Sequence, residues 1–109
     1  MSKSLPIPVQ KAMRKLGQDI SDARRRRRIP LKLLAERADI SQRTLVKIEQ
    51  GDASVGMASY AGVIFALGMV ERLSDLVDAR HDLTGRALEE EHLPKRVRLP
   101  SKDKDGAKQ

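Results

Sequence analysis

Two short helical patterns separated by only three residues, Asp39-Ile-Ser, constrain this chain more than any other feature. The first pattern follows Pro30 and repeats apolar or small residues on one face: Leu31, Leu34, Ala35 and Ala38. The second pattern runs from an N-cap at Ser41 to Gly51, with Leu45 and Ile48 facing inward. Two helices joined by so tight a turn must touch, and small side chains on the first helix allow that contact. The sequence therefore predicts a helix-turn-helix unit.

Further helical patterns flank this unit on both sides. From about Val9 to Arg28, apolar residues recur at spacings of three and four: Val9, Met13, Leu16, Ile20 and Ala23. Ile29-Pro30 is expected to end that helix. A fourth helix from Met57 to Gly68 is largely apolar, through Met57, Tyr60, Ala61, Ile64, Phe65 and Leu67. We expect core and dimer contacts from its stripe of Met57, Tyr60, Ile64, Phe65 and Leu67 rather than a separate partner-binding surface. A fifth, from about Val70 to Ala79, presents Leu73, Leu76 and Val77.

These patterns predict an all-α protein with one domain. Residues 9–79 form a five-helix domain, and residues 1–8, with two prolines, are expected to be a flexible arm. Residues 80–109 read as a charged, basic and partly disordered tail. Within the tail, residues 95–99 could form a short edge strand or a docking peptide. Val97 and Leu99 would then be its anchors for a dimer or partner contact.

The charge balance favours a polyanionic partner. Lys and Arg number 22 against 15 Asp and Glu, which gives a formal charge of +7. Single-stranded nucleic acid is usually held by aromatic stacking as well, and the aromatic residues are limited to Tyr60 and Phe65. Duplex DNA is therefore the better expectation. The absence of cysteine, of a signal-peptide pattern and of a long apolar segment favours a cytoplasmic, DNA-associated protein without a membrane span.

Catalytic and metal-binding patterns are weak by comparison. His81 and His92 lie near a run of three glutamates, but no third nitrogen or sulfur ligand supports a metal site. No nucleophile-base-acid set, glycine-rich phosphate loop or paired-carboxylate cleft emerges. We therefore expect a protein that is not an enzyme and needs no metal or cofactor.

The second helix of the unit has the side chains that major-groove reading requires. In such a helix the N-terminal residues face base edges, where an amide can pair with adenine and a guanidinium with guanine. Gln42 and Arg43 occupy those positions. The turn before the helix needs a residue that tolerates a positive φ, and Asp39 stands in that place.

The run from Leu31 to Gly51 resembles the helix-turn-helix of the Cro/phage-repressor (XRE) family. The strongest match is Ile48-Glu-Gln-Gly, followed by Leu34-Ala35, and the resemblance extends over roughly residues 16–77. It implies a phage-repressor-like fold. By this resemblance the base-reading residues are Gln42, Arg43, Thr44 and Lys47. It also implies a structural ion pair between Arg24 and Glu49.

Contacts to the DNA backbone are expected from basic residues around the unit. The family commonly opens its first unit helix with a polar phosphate-binding residue, whereas this chain has Leu31 followed by Lys32. We expect Lys32 to take over that contact. The five arginines at 24–28 cannot all face one partner at 100° per residue, and some simply favour the helix C-terminus. The predicted phosphate contacts are Lys32, Arg25, Arg28 and Ser41.

A broader pattern resembles the antitoxin subunit of HipA/HipB-type toxin-antitoxin modules. It comprises Ala66-Leu-Gly, Leu73-Ser-Asp-Leu-Val and Leu93-Pro-Lys-Arg-Val-Arg. The resemblance implies a homodimer that binds operator DNA, represses its own operon and inactivates a HipA-family serine/threonine kinase toxin. Two alternatives stay open: a stand-alone phage-type repressor, and a protein-interaction module that does not bind DNA.

Overall fold

The computed structural model describes residues 4–96 of the chain, and all regular structure in that range is helical. The all-α prediction is confirmed. The helices are α1 (Ile7–Arg26), α2 (Leu31–Arg37), α3 (Gln42–Glu49), α4 (Met57–Ala66), α5 (Val70–Ser74) and α6 (Leu83–Arg96), with a 3-10 turn at Ala79–His81. The chain divides into two compact units, with the boundary between Leu73 and Ser74.

The first helix begins two residues earlier than its apolar pattern predicts. Pro6 is the N-cap of α1 and Pro8 lies in its first turn. Proline is tolerated there because the first N–H groups of a helix have no intrahelical partner. The Gln10 side chain also donates to the carbonyl of Leu5 at 2.6 Å. The flexible arm predicted for residues 1–8 is therefore wrong at residues 7 and 8, which are helical.

The core of the first unit is built by the first four helices and the start of the turn after α4. Its buried apolar residues are Ile20, Ala23, Leu34, Ala35, Leu45, Ile48, Tyr60, Val63 and Leu67. The four largest side chains that are fully buried are Leu34, Leu45, Ile48 and Val63. Each is worth roughly 1.5 to 3 kcal/mol relative to an exposed side chain. The inward faces predicted for α2 and α3 are therefore the faces that pack.

Four helices of this unit end in the same way, with a left-handed residue just after the cap. These residues are Arg28 (φ 55°), Asp39 (φ 57°), Gly51 (φ 74°) and Gly68 (φ 81°). In each case the next N–H donates to the carbonyl five residues earlier, as in Ile40 to Ala35 at 3.0 Å. The positive φ predicted at Asp39 is confirmed. Glycine is the residue best suited to this conformation, so Arg28 and Asp39 adopt it at a cost.

The fifth helix is shorter than predicted. It ends at Ser74 rather than near Ala79, and Leu76 and Val77 are 61% and 88% exposed instead of packed. The cause is a competing turn. The Asp78 N–H donates to the Asp75 carbonyl at 3.1 Å, and the Asp78 side chain caps the 3-10 turn by accepting from the Arg80 N–H at 2.9 Å.

The second unit contains a helix where the sequence pattern indicated only a charged tail. The Asp82 carboxylate accepts from the Gly85 N–H at 2.9 Å and so caps the start of α6. The helix then runs through residues with high helix propensity, Leu, Arg, Ala and Glu. A high density of charged residues was the reason for predicting a tail here, but it does not prevent these residues from forming a helix. The strand predicted at 95–99 is wrong at Lys95 and Arg96, which end α6.

The remaining positions of the predicted strand, including Val97 and Leu99, lie outside the described residues. None of the helices between residues 4 and 96 is both long enough and apolar enough to cross a membrane.

Candidate nucleic-acid interface

Helix α3 has one face fixed in the core and the opposite face open to solvent. Leu45 and Ile48 are 0% exposed. Gln42 and Arg43, at the start of the helix, are exposed, whereas Thr44 and Lys47 are half-buried at its edge. The structure therefore brings all four predicted base-reading residues onto one short helix, and it leaves the amide and the guanidinium at the N-terminus most accessible.

The N-cap of α3 uses two of the predicted contact residues. The Ser41 hydroxyl accepts from the Thr44 N–H at 3.0 Å and donates to the Thr44 hydroxyl oxygen at 2.9 Å. Such a cap is worth about 1 kcal/mol to the helix. Because the Ser41 hydroxyl is already hydrogen-bonded to Thr44, donation to a phosphate would compete with that bond. The structure thus shows Ser41 primarily as a cap.

A bidentate ion pair joins the end of α1 to the end of α3. Arg24 Nε lies 2.6 Å from Glu49 Oε2, and Arg24 Nη2 lies 3.1 Å from Glu49 Oε1. A third bond runs from Arg24 Nη1 to the Ile29 carbonyl at 3.0 Å. The side chains are only 12% and 11% exposed. The hydrogen bond to Glu49 raises the pKa of Arg24, burial opposes this, and the negative charge of Glu49 adds to it.

This is the ion pair that the family resemblance implies between Arg24 and Glu49. It is a structural contact that fixes the C-terminal end of α3 to α1.

A close backbone contact between α1 and the end of α3 escaped the sequence reasoning. A Cβ on Gly17 would lie 2.5 Å from the Gly51 nitrogen and 2.6 Å from the Ile48 carbonyl oxygen. The sequence did contain a signal for this contact, because an isolated glycine inside a helical pattern, such as Gly17, is usually there to allow close packing. The Ile48-Glu-Gln-Gly motif is thereby explained by packing: Ile48 enters the core, Glu49 binds Arg24, and Gly51 lies against α1.

Basic side chains of α1, of the turn after it, of α2 and of α3 are open to solvent. Arg25, Arg28, Lys32 and Arg43 are exposed, and no salt bridge between described residues involves any of them. Arg27 differs, since its Nη1 donates to the Ala23 carbonyl at 2.9 Å and satisfies an acceptor at the helix end. The predicted phosphate contacts Arg25, Arg28 and Lys32 are therefore available to an anion.

The loop after α3 is held by contacts that the sequence reasoning also missed. The Tyr60 hydroxyl donates to the Asp52 carbonyl at 2.8 Å, and the Asp52 carboxylate accepts from the Ser54 hydroxyl at 2.6 Å and the Ser54 N–H at 2.8 Å. The Asp-x-Ser spacing, typical of a side-chain-closed turn, was the available signal.

These contacts and the nearby charges shift two pKa values. The hydroxyl and N–H of Ser54 lower the pKa of Asp52, and the charge of Lys47 contributes in the same direction. Burial, and then the negative charge of Asp52, raise the pKa of Tyr60. Lys47 is thus a base-reading candidate with a carboxylate in its vicinity.

The two histidines considered as metal ligands belong to the second compact unit. His81 Nε2 is 3.6 Å from Asp75 Oδ2, and His92 Nε2 is 3.9 Å from Glu91 Oε1. Across residues 4–96 no three His, Cys, Asp or Glu side chains come together as a group that could hold a metal ion.

No protein-family model, no curated protein and no solved structure matches this chain.

Proposed function

We propose that this protein is a sequence-specific double-stranded DNA-binding repressor that inserts α3 into the major groove. The proposal rests on one observation, which is that α3 is fixed on one face and exposed on the other. Leu45 and Ile48 are fully buried and Glu49 is tied to Arg24, while Gln42 and Arg43 at the opposite, N-terminal face remain exposed. A reading helix needs a rigid back and polar side chains at its leading end.

The side chains divide into two roles in this proposal. Gln42, Arg43 and Lys47 read base edges, with Thr44 as a fourth, shorter contact. Arg25, Arg28 and Lys32 bind phosphates, because they are exposed cations without salt-bridge partners among the described residues. Phosphate contacts supply salt-dependent affinity, and base contacts supply discrimination between sequences.

The proposal includes a homodimer on a two-fold symmetric operator. Two copies of a helix-turn-helix read half-sites separated by about one helical turn, roughly 34 to 36 Å. A footprint with two equivalent contact regions at that spacing supports the dimer, and a single unpaired contact region counts against it.

We extend the proposal to an antitoxin role on the strength of the resemblance to HipA/HipB-type modules. In that role the protein acts in the cytoplasm, represses its own operon and holds a HipA-family serine/threonine kinase toxin inactive. A pull-down from the native cell with the tagged full chain tests this. Recovery of a kinase whose activity falls on adding the purified chain supports the role, and a chain that leaves such a kinase fully active contradicts it.

The test of DNA binding is fluorescence anisotropy with duplex from upstream of the chain's own gene and with a scrambled duplex. Arg43→Ala and Lys47→Ala should each weaken binding to the native duplex by roughly 5- to 150-fold, which corresponds to the loss of a base contact of about 1 to 3 kcal/mol. Lys11→Ala is the matched control. It removes one charge at an exposed position on α1, about 20 Å along the helix axis from Arg25.

Two results are possible for the main claim. Salt-sensitive preference for the native duplex, lost in the α3 variants and kept in the control, supports a sequence-reading repressor. Equal, weak binding of every variant to both duplexes would make the charge nonspecific and would favour the protein-interaction alternative.

A further inference from the structure

The outward face of α4 is apolar throughout, although it is exposed. Met57 and Phe65 are 70% and 67% exposed, Ala58 is exposed, and Ala61 is half-buried between them. The opposite face supplies Tyr60 and Val63 to the core. A helix that is apolar on all sides is normally buried on all sides, and a contiguous exposed apolar patch usually marks a contact surface.

The same segment is unusual in its charge. From Ala53 to Val70 the chain has no charged side chain, whereas 34% of all its residues are charged. The exposed face of α4 itself therefore offers no charged side chain to pair with DNA phosphates or with an acidic peptide. Its occupant must be apolar and uncharged as well. For two copies that each carry a formal charge of +7, it is also a place of approach without local charge repulsion.

We propose that this face is the contact between two copies of the chain, with the two α4 helices packed antiparallel about a two-fold axis at Ala61. Met57, Ala61 and Phe65 are spaced by four residues and form one ridge, the kind of row that interlocks in the commonest class of helix crossing. The small residue lies at the centre and the two large ones are equidistant from it.

Self-complementarity follows from that spacing. In an antiparallel pair Met57 lies against the partner's Phe65, and Phe65 against the partner's Met57, while the two Ala61 side chains allow the helices to approach closely. Thioether sulfur and aromatic ring make a favourable contact. A two-fold interface requires such reciprocal contacts between the same patch on both copies. This inference rests on the proposed function only in so far as a two-fold operator needs a dimer, and it identifies the face that forms it.

Engineered cysteines test the arrangement directly, because the chain has no native cysteine. The full-length Ala61→Cys variant should form a symmetric disulfide under mild oxidation. At micromolar protein we expect a rate about 100-fold above that of Ala12→Cys, since a preformed dimer holds the thiols at millimolar effective concentration. Ala12 is exposed on α1 and serves as the matched control.

A mixing experiment fixes the direction of the helices. Met57→Cys and Phe65→Cys should each cross-link poorly alone and readily when mixed, because each residue faces the other type across the axis. Efficient cross-linking of Met57→Cys with itself would indicate parallel helices and would overturn the proposed geometry. Equal slow rates for all variants and for the Ala12→Cys control would overturn the interface itself.

Sedimentation of the wild-type chain and of Phe65→Lys provides a test without oxidation. We expect Phe65→Lys to raise the dimer dissociation constant by about 100-fold or more, because it replaces an aromatic anchor of the interface with a charge on each copy. Ile7→Lys, at a side chain 63% exposed on α1, is the control and should leave the constant unchanged. A wild-type chain that is monomeric at tens of micromolar, or a Phe65→Lys dimer as stable as the wild type, would contradict the proposal.

Failure here and failure of the proposed function give different results. A monomeric chain that still prefers its native duplex would overturn the α4 interface and keep the DNA-binding proposal. Specific Ala61→Cys cross-linking in a chain that binds native and scrambled duplexes equally would keep the interface and overturn sequence-specific binding.

Discussion

Gly17 in α1 and Gly51 after α3 lie so close that a Cβ on Gly17 would be 2.5 Å from the Gly51 backbone nitrogen. A Cβ on Gly51 would in turn lie 2.5 Å from the Met13 carbonyl oxygen, and Gly51 also has φ 74°. Backbone atoms cannot move aside as the end of a flexible side chain can. The orientation of α3 against α1 therefore depends on the absence of side chains at both positions.

Gly17→Ala should consequently destabilise the protein. We expect a loss of about 2 to 4 kcal/mol in the free energy of unfolding, since the methyl group forces two backbones apart. Urea unfolding followed by circular dichroism measures it. Gly56→Ala is the control, because a Cβ at Gly56 meets no atom within 4 Å and should change stability by less than about 1 kcal/mol. Equal effects of the two substitutions would refute the role of close contact.

The Arg24–Glu49 ion pair should be worth far more than an exposed pair of the same length. A double-mutant cycle with Arg24→Gln and Glu49→Gln should give a coupling energy of about 2 kcal/mol, as the side chains are only 12% and 11% exposed. The pair between Lys15 and Asp19 is also 2.6 Å long, but its side chains are 77% and 55% exposed. Its cycle should give about 0.5 kcal/mol or less. Similar coupling in both cycles would show that burial is not the deciding factor.

Substitutions at Arg28 and Asp39 should have the same effect on stability but different effects on DNA binding. Both adopt positive φ where glycine is preferred, so Arg28→Gly and Asp39→Gly should each raise the free energy of unfolding by about 0.5 to 1 kcal/mol. If Arg28 binds phosphate, only Arg28→Gly should weaken DNA binding. Thermal unfolding and anisotropy on the same samples measure the two effects. An Arg28→Gly variant with undiminished affinity would remove Arg28 from the proposed contacts.

The short-range features of this fold were predictable from the sequence. The Ser41 cap and the left-handed Asp39 depend on a few neighbouring residues, and each local pattern was interpreted correctly. The Arg24–Glu49 pair spans 25 positions and was expected only through the family resemblance. Nothing in the periodicity of α1 singles out Arg24 from the other arginines. Arg24 forms the pair because the fold places its guanidinium at the end of α3, and that placement depends on tertiary packing.

The errors have a common physical origin in competing local interactions. Helix α5 was extended too far because apolar spacing at Leu76 and Val77 was weighted above the turn that Asp78 closes. Helix α6 was missed because a charged, weakly amphipathic segment has no apolar stripe, although Asp82 provides a cap. At the candidate site, the tie between Tyr60 and the Asp52 carbonyl depends on tertiary placement of a backbone acceptor, which no side-chain pattern reveals.

Tyr60 should report the integrity of the loop after α3 through its titration. Burial first, and the charge of Asp52 second, raise the pKa of its phenol above the ordinary 10.0. A raised pKa in the folded state means that the resulting stabilisation is fully present below the unfolded pKa and is lost as pH rises through the folded pKa. Because this is the single tyrosine and the chain has no tryptophan, ultraviolet absorbance follows it without interference.

Two controls accompany that titration. The urea-unfolded chain should ionise near the ordinary value, and Asp52→Asn should move the folded pKa of Tyr60 towards it by removing the neighbouring charge. A folded wild-type chain that titrates at the same pH as the unfolded chain would contradict the burial and contacts assigned to Tyr60.

Salt dependence should separate the two kinds of DNA contact proposed for this surface. Lys32→Ala removes a phosphate contact, so it should weaken binding to native and scrambled duplexes alike and reduce the slope of log K against log salt by about 0.9. Gln42→Ala removes a neutral amide at a base edge. It should therefore leave that slope unchanged and cost about 1 to 3 kcal/mol on the native duplex alone. The contrast depends on charge, because both side chains are exposed and neither lies in the core. If Gln42→Ala changed the slope, or if Lys32→Ala altered preference between duplexes, the assignment of α3 to base reading and of α2 to the DNA backbone would have to be reversed.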